Sequence, residues 1–273
     1  MRPPRPDIAV PPMPPMVEWV GETPIAIEKL TARGPVLLHF FCAGHDASVR
    51  TLPYVQGWHE RYGDVGLTVL GVDSPRFALS AGAEKLAAAL GRLGLTFPVA
   101  ADAGFDVWRS YGCEGWPSTF VWGQGGTLRW FQFGEGEYAA TEEAIRTLLP
   151  AEAREAGLAE AQGPLRPSDA AGARVVPPTP EVFPGGEAAT PLRVGAATPA
   201  IELTYAGTGA SAAVDGRGRL EVRLDGGSER VIDVTAPGVY ELSSHPRHGE
   251  HRLALRASAG LEVYCVAFAP GLP

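Results

Sequence analysis

The chain has 273 residues, of which 45% are hydrophobic and 20% charged, and its formal net charge is -8. This composition excludes a disordered or fibrous chain and leaves room for two domains, since a domain usually has ~150 residues. The negative charge predicts that the protein does not bind nucleic acid, which requires clustered cations. The longest apolar stretch, residues 36–43, is too short to span a bilayer, so no membrane span is predicted.

Composition divides the chain into four segments. A proline-rich N-terminal tail covers residues 1–16, and it lacks the apolar core and the cleavage site of a secretory signal. The six tryptophans all lie in a predicted first domain of residues 17–150. A stretch rich in Ala, Glu, Gly and Pro at 151–190 is predicted to be a flexible linker. Short β-branched and aromatic runs separated by glycines indicate a second domain at 191–273.

Strands and helices alternate in the predicted first domain. Short apolar runs bounded by Gly or Pro predict buried strands, and amphipathic runs predict helices. The predicted elements are strands at 35–42 and 67–72, a helix opened by Asp46 or Ser48 and kinked by Pro53, a helix at 83–93, an extended piece at 97–100, a helical turn at 105–110, a hairpin of strands 119–122 and 128–133, and a helix at 137–149. This order predicts an α/β domain with a mixed sheet and helices on both faces.

Short runs in the second domain alternate apolar with polar residues, which predicts strands with one buried face. These runs cover residues 200–205, 220–224, 230–234, 239–242, 251–256 and 261–268. Turn-forming sequences such as Asp225-Gly-Gly227 separate them. The domain is therefore predicted to be an all-β antiparallel sandwich or jelly roll.

Several motifs together resemble a known family. Phe40-Phe-Cys-Ala-Gly-His-Asp-Ala-Ser-Val-Arg-Thr-Leu-Pro-Tyr-Val55 has the form of a strand, a loop and a helix with an internal proline, and residues 66–75 follow as the next strand. Trp108-Arg-Ser-Tyr-Gly-Cys-Glu-Gly-Trp-Pro117 is similar to a loop that carries a cis-proline. These segments resemble the thioredoxin superfamily, in particular the TlpA-like redoxins and the soluble C-terminal module of DipZ-type proteins. Three later segments resemble the carbohydrate-binding-like jelly roll of that module: 179–185, 224–226 and 260–264.

The redox motif of this family is replaced in the chain. The resemblance implies a Cys-x-x-Cys whose second cysteine precedes the kinking proline by five residues. Counting back from Pro53 places the motif on His45, Asp46, Ala47 and Ser48, which contain no thiol. Dithiol–disulfide exchange needs a nucleophilic thiolate and a second thiol within bridging distance. We therefore predict that this site has lost the family's chemistry.

The former redox groove still offers candidate binding residues. His45 lies at the start of the predicted helix, where the helix dipole should lower its pKa. It is either a general base or ligand contact, or a solvated loop histidine. His45, Asp46 and Ser48 do not form a convincing triad, because residues on one turn point in different directions. Trp116-Pro117 is the predicted cis peptide bond, and this loop is a candidate contact for an extended peptide or a protein.

Cys42 and Cys113 are the candidates for residual thiol chemistry. Cys42 ends the first strand and Cys113 lies in the predicted cis-proline loop, so the two thiols could approach each other. The apolar run around Cys42 should raise the pKa of its thiol, and burial of both side chains is the simpler interpretation. Cys265 alternates with Val263 and Ala267 and is predicted to lie in the core of the second domain.

The second domain carries few candidates for ligand binding. Glycan recognition would need exposed aromatic side chains, but those present fall in strand patterns that predict a core: Tyr205, Tyr240, Tyr264 and Phe268. His245, His248 and His251 have a spacing that could suit a metal, although a polar hairpin loop is the simpler interpretation. No cofactor and no metal site are predicted.

Three functions remain open from the sequence. The first is a redoxin-like binding or scaffolding module without catalysis. The second is a thiol–disulfide oxidoreductase or antioxidant redoxin that uses Cys42 or Cys113, and the third is a glycan-binding protein that acts through the second domain. We expect a cytoplasmic location if the chain is complete, and an extracytoplasmic one if it is a fragment of a membrane-tethered protein.

Overall fold

The fold comes from a computed structural model that describes residues 1, 7–15, 17–21 and 26–273. The tail predicted at 1–16 therefore lies partly outside the described residues. Where it is described, its backbone runs beside the end of the first-domain hairpin, and the N–H of Val10 donates a hydrogen bond to the carbonyl of Gly126 at 2.8 Å. In the described ranges, no helix has both the length and the apolar composition needed to cross a membrane.

The first domain is built on a six-stranded mixed sheet with helices around it. Its elements are β1 (Glu18–Trp19), α1 (Ile27–Thr31), β2 (Val36–Phe41), α2 (Asp46–Tyr62), β3 (Thr68–Asp73), α3 (Ala83–Leu93), β4 (Val99–Ala101), α4 (Asp106–Ser110), β5 (Ser118–Trp122), β6 (Leu128–Phe133) and α5 (Tyr138–Leu148). The strand order is β1-β4-β3-β2-β5-β6. β2, β3 and β4 are parallel, and the outer strands are antiparallel. The predicted mixed sheet is confirmed, and β1 and α1 are additional short elements.

Alternation of side chains along β2 places helices on both faces of the sheet. Leu37 and Phe41 belong to a core shared with α2, α3 and α5. Leu38 and Phe40 point the other way, into a second core with α1 and α4. His39 lies between Leu37 and Phe41 and is fully buried. The prediction of helices on both faces is confirmed.

Helix α2 begins earlier than the sequence predicts. Its N-cap is His45, which makes no side-chain capping hydrogen bond, whereas Asp46 and Ser48 lie in the first turn. The prediction of Asp46 or Ser48 as the cap is therefore wrong. Asp46 instead bonds to Ser211 and Ser48 to the N–H of Cys42, both outside the helix. These bonds outweigh the usual preference of Asp and Ser for the cap position. Pro53 lies inside the helix, as predicted.

The second domain is an all-antiparallel, curled sheet, consistent with the predicted sandwich. Its strands are β7 (Leu192–Arg193), β8 (Ile201–Asp215), β9 (Gly218–Leu224), β10 (Glu229–Val234), β11 (Gly238–Ala257) and β12 (Glu262–Ala269), in the order β10-β9-β11-β8-β12-β7. Tyr205, Tyr240 and Phe268 lie in its core, as predicted. Tyr264 does not, because it packs against the first domain. The predicted fold class, an α/β domain followed by an all-β domain, is confirmed.

Two strands of the second domain are longer than the sequence predicts. β8 continues through a run of Ala, Gly, Ser and Thr after residue 205, which carries little β-strand signal of its own. β11 combines two predicted strands and the histidine-rich segment between them, so the hairpin loop predicted there is wrong. Shifts in the β8–β11 register between Glu241 and Ser243, and between Ser244 and Gly249, absorb the irregular residues as bulges.

The segment between the domains is not the free linker that its composition predicts. It begins with α6 (Ala151–Ala156), and residues 157–173, called the strap here, lie along the first domain. The N–H of Leu165 donates to the hydroxyl of Tyr54 at 2.6 Å, and that hydroxyl donates to Asp169 at 2.7 Å. The N–H of Gln162 donates to the carboxylate of Glu142 at 3.0 Å. The domain boundaries themselves stay a prediction.

Candidate functional site

The four residues at the predicted motif position form the N-cap and first turn of α2, directly after β2. Ser48 is fully buried, and its hydroxyl accepts the N–H of Cys42 at 3.2 Å. The same hydroxyl lies 3.2 Å from Nδ1 of His45. Ser48 therefore connects the end of β2 to the start of the helix. A hydroxyl does not ionise near neutral pH, so this turn holds no nucleophile comparable to a thiolate.

The second domain covers this turn. Oδ1 of Asp46 accepts a hydrogen bond from the hydroxyl of Ser211 in β8 at 2.6 Å. Glu181, which precedes the second domain, lies 3.8 Å from Nε2 of His45 and pairs with Arg76 at 2.7 Å. The side chain of His45 is consequently only 14% exposed. At His45 and Asp46, the chain's own residues thus cover part of the groove predicted to hold an extended peptide.

An apolar cluster joins the two domains beside the turn. It contains two residues of the first domain and four of the second, all of them buried: Phe77, Leu79, Ala213, Tyr264, Cys265 and Ala267. The ring centroids of Phe77 and Tyr264 are 5.6 Å apart. Cys265 therefore lies in the interface, and the prediction that it belongs to the second-domain core is wrong. A register shift between Val263 and Cys265 in β12 changes which face of the strand the cysteine occupies.

Burial has the largest influence on the pKa of His45. It lowers the pKa of the imidazole, and the cations of Arg76 and Arg50 act in the same direction, against the carboxylates of Glu181 and Asp46. The direction matches the expectation from the helix dipole, but removal from water is the main cause. His45 is not a solvated loop residue, because Glu181 and the second domain enclose it.

Trp116 and Pro117 border the turn from the side of the first domain. The peptide bond between them is cis. The indole N–H of Trp116 donates to the carbonyl of Ser74 at 2.8 Å, and its ring centroid lies 6.4 Å from that of His45. On its other side Trp116 packs against Trp108, with centroids 4.5 Å apart. The indole is thus held rigidly next to His45, and its role in binding a peptide stays a prediction.

The surroundings of the three cysteines keep their thiols protonated. All three are free. Burial raises the pKa of Cys42 to about 12, with a further increase from the carboxyl of Asp73, and the N–H of Arg76 donates to its sulfur at 3.3 Å. Burial also raises the pKa values of Cys113 and Cys265. Because the thiolate is the reactive form, these environments disfavour thiol chemistry.

A native thiol titration with an aromatic disulfide reagent should show at most one accessible thiol. Cys113 is half-buried, whereas Cys42 and Cys265 are buried. We expect Cys42 and Cys265 to react only when denaturant is added, and Cys113→Ser to remove any fast phase. A fast phase that disappears in Cys42→Ser would contradict this assignment.

His245 and His251 meet on β11, but His248 does not join them. The two rings stack with centroids 3.6 Å apart and an interplanar angle of 4°. Nδ1 of His251 lies 2.8 Å from Asp225, and Nε2 of His245 lies 3.0 Å from the hydroxyl of Tyr205. Rings stacked in this way cannot direct lone pairs at one ion. Among the described residues, no group of three or more His, Cys, Asp or Glu side chains could hold a metal ion.

The chain is similar to known proteins over about half its length. No family model matches it. It is 34% identical over 129 residues to protein DipZ of Mycobacterium bovis, and this alignment covers 47% of the chain and 18% of DipZ. It is 29% identical over 132 residues to NHL repeat-containing protein 2 of Homo sapiens, covering 48% of the chain and 18% of that protein. The chain thus spans less than a fifth of the length of these relatives.

One solved structure similar to the chain is that of a putative thiol:disulfide interchange protein DsbE from Chlorobium tepidum. The two share 19% sequence identity, with a TM-score of 0.47. The match covers 54% of this chain and 99% of the other.

Proposed function

We propose that this chain is a binding and scaffolding module without dithiol–disulfide exchange. Its N-terminal half is a thioredoxin-like domain of the TlpA-like redoxin type and resembles part of DipZ. The observation that carries this proposal is the pair of contacts made from the motif position. Asp46 bonds to Ser211 of the second domain, and His45 faces Glu181. Side chains at the motif position therefore contact the second domain and the segment that precedes it.

The chemistry of the turn supports the absence of exchange. A redoxin needs an accessible thiolate that attacks a disulfide and a second thiol that resolves the mixed disulfide. His45 and Ser48 supply neither sulfur. Cys42 is fully buried with a pKa raised to about 12, so its thiolate is scarce at neutral pH. Thiol–disulfide or antioxidant activity through Cys42 or Cys113 is the alternative that an activity measurement must exclude.

The scaffolding role is supported by the combination of polar and apolar contacts at one interface. The Asp46–Ser211 hydrogen bond and the Glu181–Arg76 ion pair are both largely removed from solvent. The apolar cluster around Phe77 lies next to them. We infer that the partner of the former redox face is the second domain of the same chain, in place of an extended peptide.

Reduction of insulin disulfides tests the proposal. With dithiothreitol as the electron source, we expect insulin to precipitate no faster in the presence of this protein than with the reagent alone. A thioredoxin with an intact Cys-x-x-Cys is the positive control. Cys42→Ser, Cys113→Ser and Cys265→Ser should all match the wild type. A protein-dependent rate that one of these variants abolishes would establish an oxidoreductase and overturn the proposal.

Glycan binding through the second domain has less support. The aromatic side chains that would form a sugar-binding platform are used internally, with Tyr205, Tyr240 and Phe268 in the core and Tyr264 in the interface. Binding of the full chain to a glycan array would favour this alternative.

A further inference from the structure

A cleft of about 510 Å³ lies between the two domains. Its walls come from the first turn of α2, from the strap, and from β8 and β11, so both domains shape it. The volume falls in the range of small-molecule sites, ~300–1,000 Å³, which occur preferentially at domain interfaces. The contacts that dock the domains leave this space open.

Arg92 brings an uncompensated positive charge to the cleft. Its guanidinium donates to the carbonyl of Val239 at 2.9 Å and lies 4.5 Å from the ring centroid of Tyr240. Arg50 and Arg166, the other arginines of the cleft, pair with carboxylates. In the described part of the chain, Arg92 makes no such pair. A half-buried guanidinium without a counter-charge favours an anion beside it.

Arg92 lies on α3 of the first domain, and residues of the second domain fix the position of its guanidinium. A Cβ at Gly238 would collide with the guanidinium, and the backbone at Gly238 has φ +148°, which few side chains tolerate. The absence of a side chain at Gly238 therefore leaves room for the guanidinium, and stacking on Tyr240 restricts the rotamers of Arg92. The charge is presented to the cleft in a fixed place.

Two neutral polar side chains of β11, those of Ser244 and His245, line the cleft. Oγ of Ser243 accepts the N–H of Ala210 at 3.0 Å and lies 2.7 Å from the hydroxyl of Tyr205. Tyr205 in turn lies 3.0 Å from Nε2 of His245. Nε2 of His245 is therefore engaged by Tyr205, and Nδ1 makes no hydrogen bond to the residues that the structure describes. This nitrogen and the exposed hydroxyl of Ser244 remain available to a ligand.

We propose that the cleft binds a small organic monocarboxylate with an apolar body. Arg92 supplies one unpaired charge, and the carboxylates of Asp46 and Glu241, which also line the cleft, disfavour a second negative charge on the ligand. Leu165, which is 49% exposed, and Leu272 provide an apolar wall. The carboxylate binds Arg92, and the hydrocarbon body covers Leu165.

Titration of the full chain with sodium hexanoate tests the proposal. Binding is followed by calorimetry and by ligand-observed NMR, with hexan-1-ol as the neutral match and inorganic phosphate as the multivalent anion. We expect saturable binding of hexanoate, binding of hexan-1-ol weaker by about tenfold or more, and no displacement of hexanoate by phosphate. Arg92→Met should weaken hexanoate binding by about tenfold, because the charge is lost while the stem remains.

Two further variants test whether binding depends on the residues of the cleft. Arg109→Met removes an exposed cation on α4 that pairs with Asp106, outside the cleft, and should leave binding unchanged. Leu165→Ala should weaken hexanoate without affecting folding, since Leu165 is half exposed. The proposal fails if hexanoate does not saturate, if hexan-1-ol binds as well, if phosphate displaces hexanoate, or if either Arg92→Met or Leu165→Ala binds like the wild type.

Discussion

Phe77→Ala is expected to lower the free energy of unfolding by about 3–5 kcal/mol, the usual effect of deleting a buried phenyl ring, and to uncouple the two domains. Phe77 is 3% exposed and contacts Tyr264 across the interface. Loss of its ring removes apolar contact from both domains at once. In differential scanning calorimetry, the wild type should unfold in one transition and the variant in two.

Phe131→Ala is the matched control for this experiment. Phe131 lies on the edge strand β6 and is partly buried against the first-domain core, outside the apolar cluster that joins the domains. Deleting this ring should lower stability while both domains still unfold together. A single transition at a lower temperature for Phe77→Ala would show that the coupling between the domains does not depend on Phe77.

Elements with a strong local pattern could be predicted from the sequence nearly to the residue. The strand predicted at 128–133 is β6, and the helix predicted at 83–93 is α3. In both, hydrophobic periodicity and flanking glycines carry the signal. The continuation of β8 past Tyr205 could not be predicted in this way, because Ala, Gly and Ser have weak strand preference and the pairing with β11 and β12 decides the conformation.

The site was predictable in position but not in environment. Pro53 is a local landmark, so the spacing implied by the family resemblance locates the turn at His45 from the sequence. The burial of that turn depends on Glu181 and Ser211, which lie far along the chain and carry no local signal of their own. The interface position of Cys265 depends on a bulge, and single-strand alternation does not reveal bulges.

His39 is expected to make the protein less stable as the pH falls. Its side chain is fully buried in the sheet, where Nδ1 lies 2.9 Å from Oγ1 of Thr119, and Nε2 has no partner among the described residues. Burial lowers its pKa to about 3. Below the ordinary pKa of about 6.5, the unfolded chain takes up a proton that the native state refuses, so stability falls by about 1.4 kcal/mol per pH unit.

Asp73 is expected to act in the opposite direction. Burial raises the pKa of this carboxyl to about 7, against the hydrogen bond from the N–H of Ala43 at 2.8 Å. Above the ordinary pKa of about 3.9, the unfolded chain releases a proton that the native state keeps, so stability falls as the pH rises towards 7. Between about pH 4 and 6.5, the contributions of His39 and Asp73 to the pH dependence of the free energy of unfolding therefore cancel.

Substituting His39 or Asp73 alone should reveal the pH dependence of stability that the other residue causes. In denaturant titrations between pH 4 and 6.5, we expect His39→Asn to lose about 3 kcal/mol of stability relative to the wild type as the pH rises, because the Asp73 slope is no longer opposed. Asp73→Asn should lose a similar amount as the pH falls. The double variant should run parallel to the wild type at a lower stability, since both titrations are gone. Single variants that also run parallel to the wild type would show that neither group has the pKa that its burial implies.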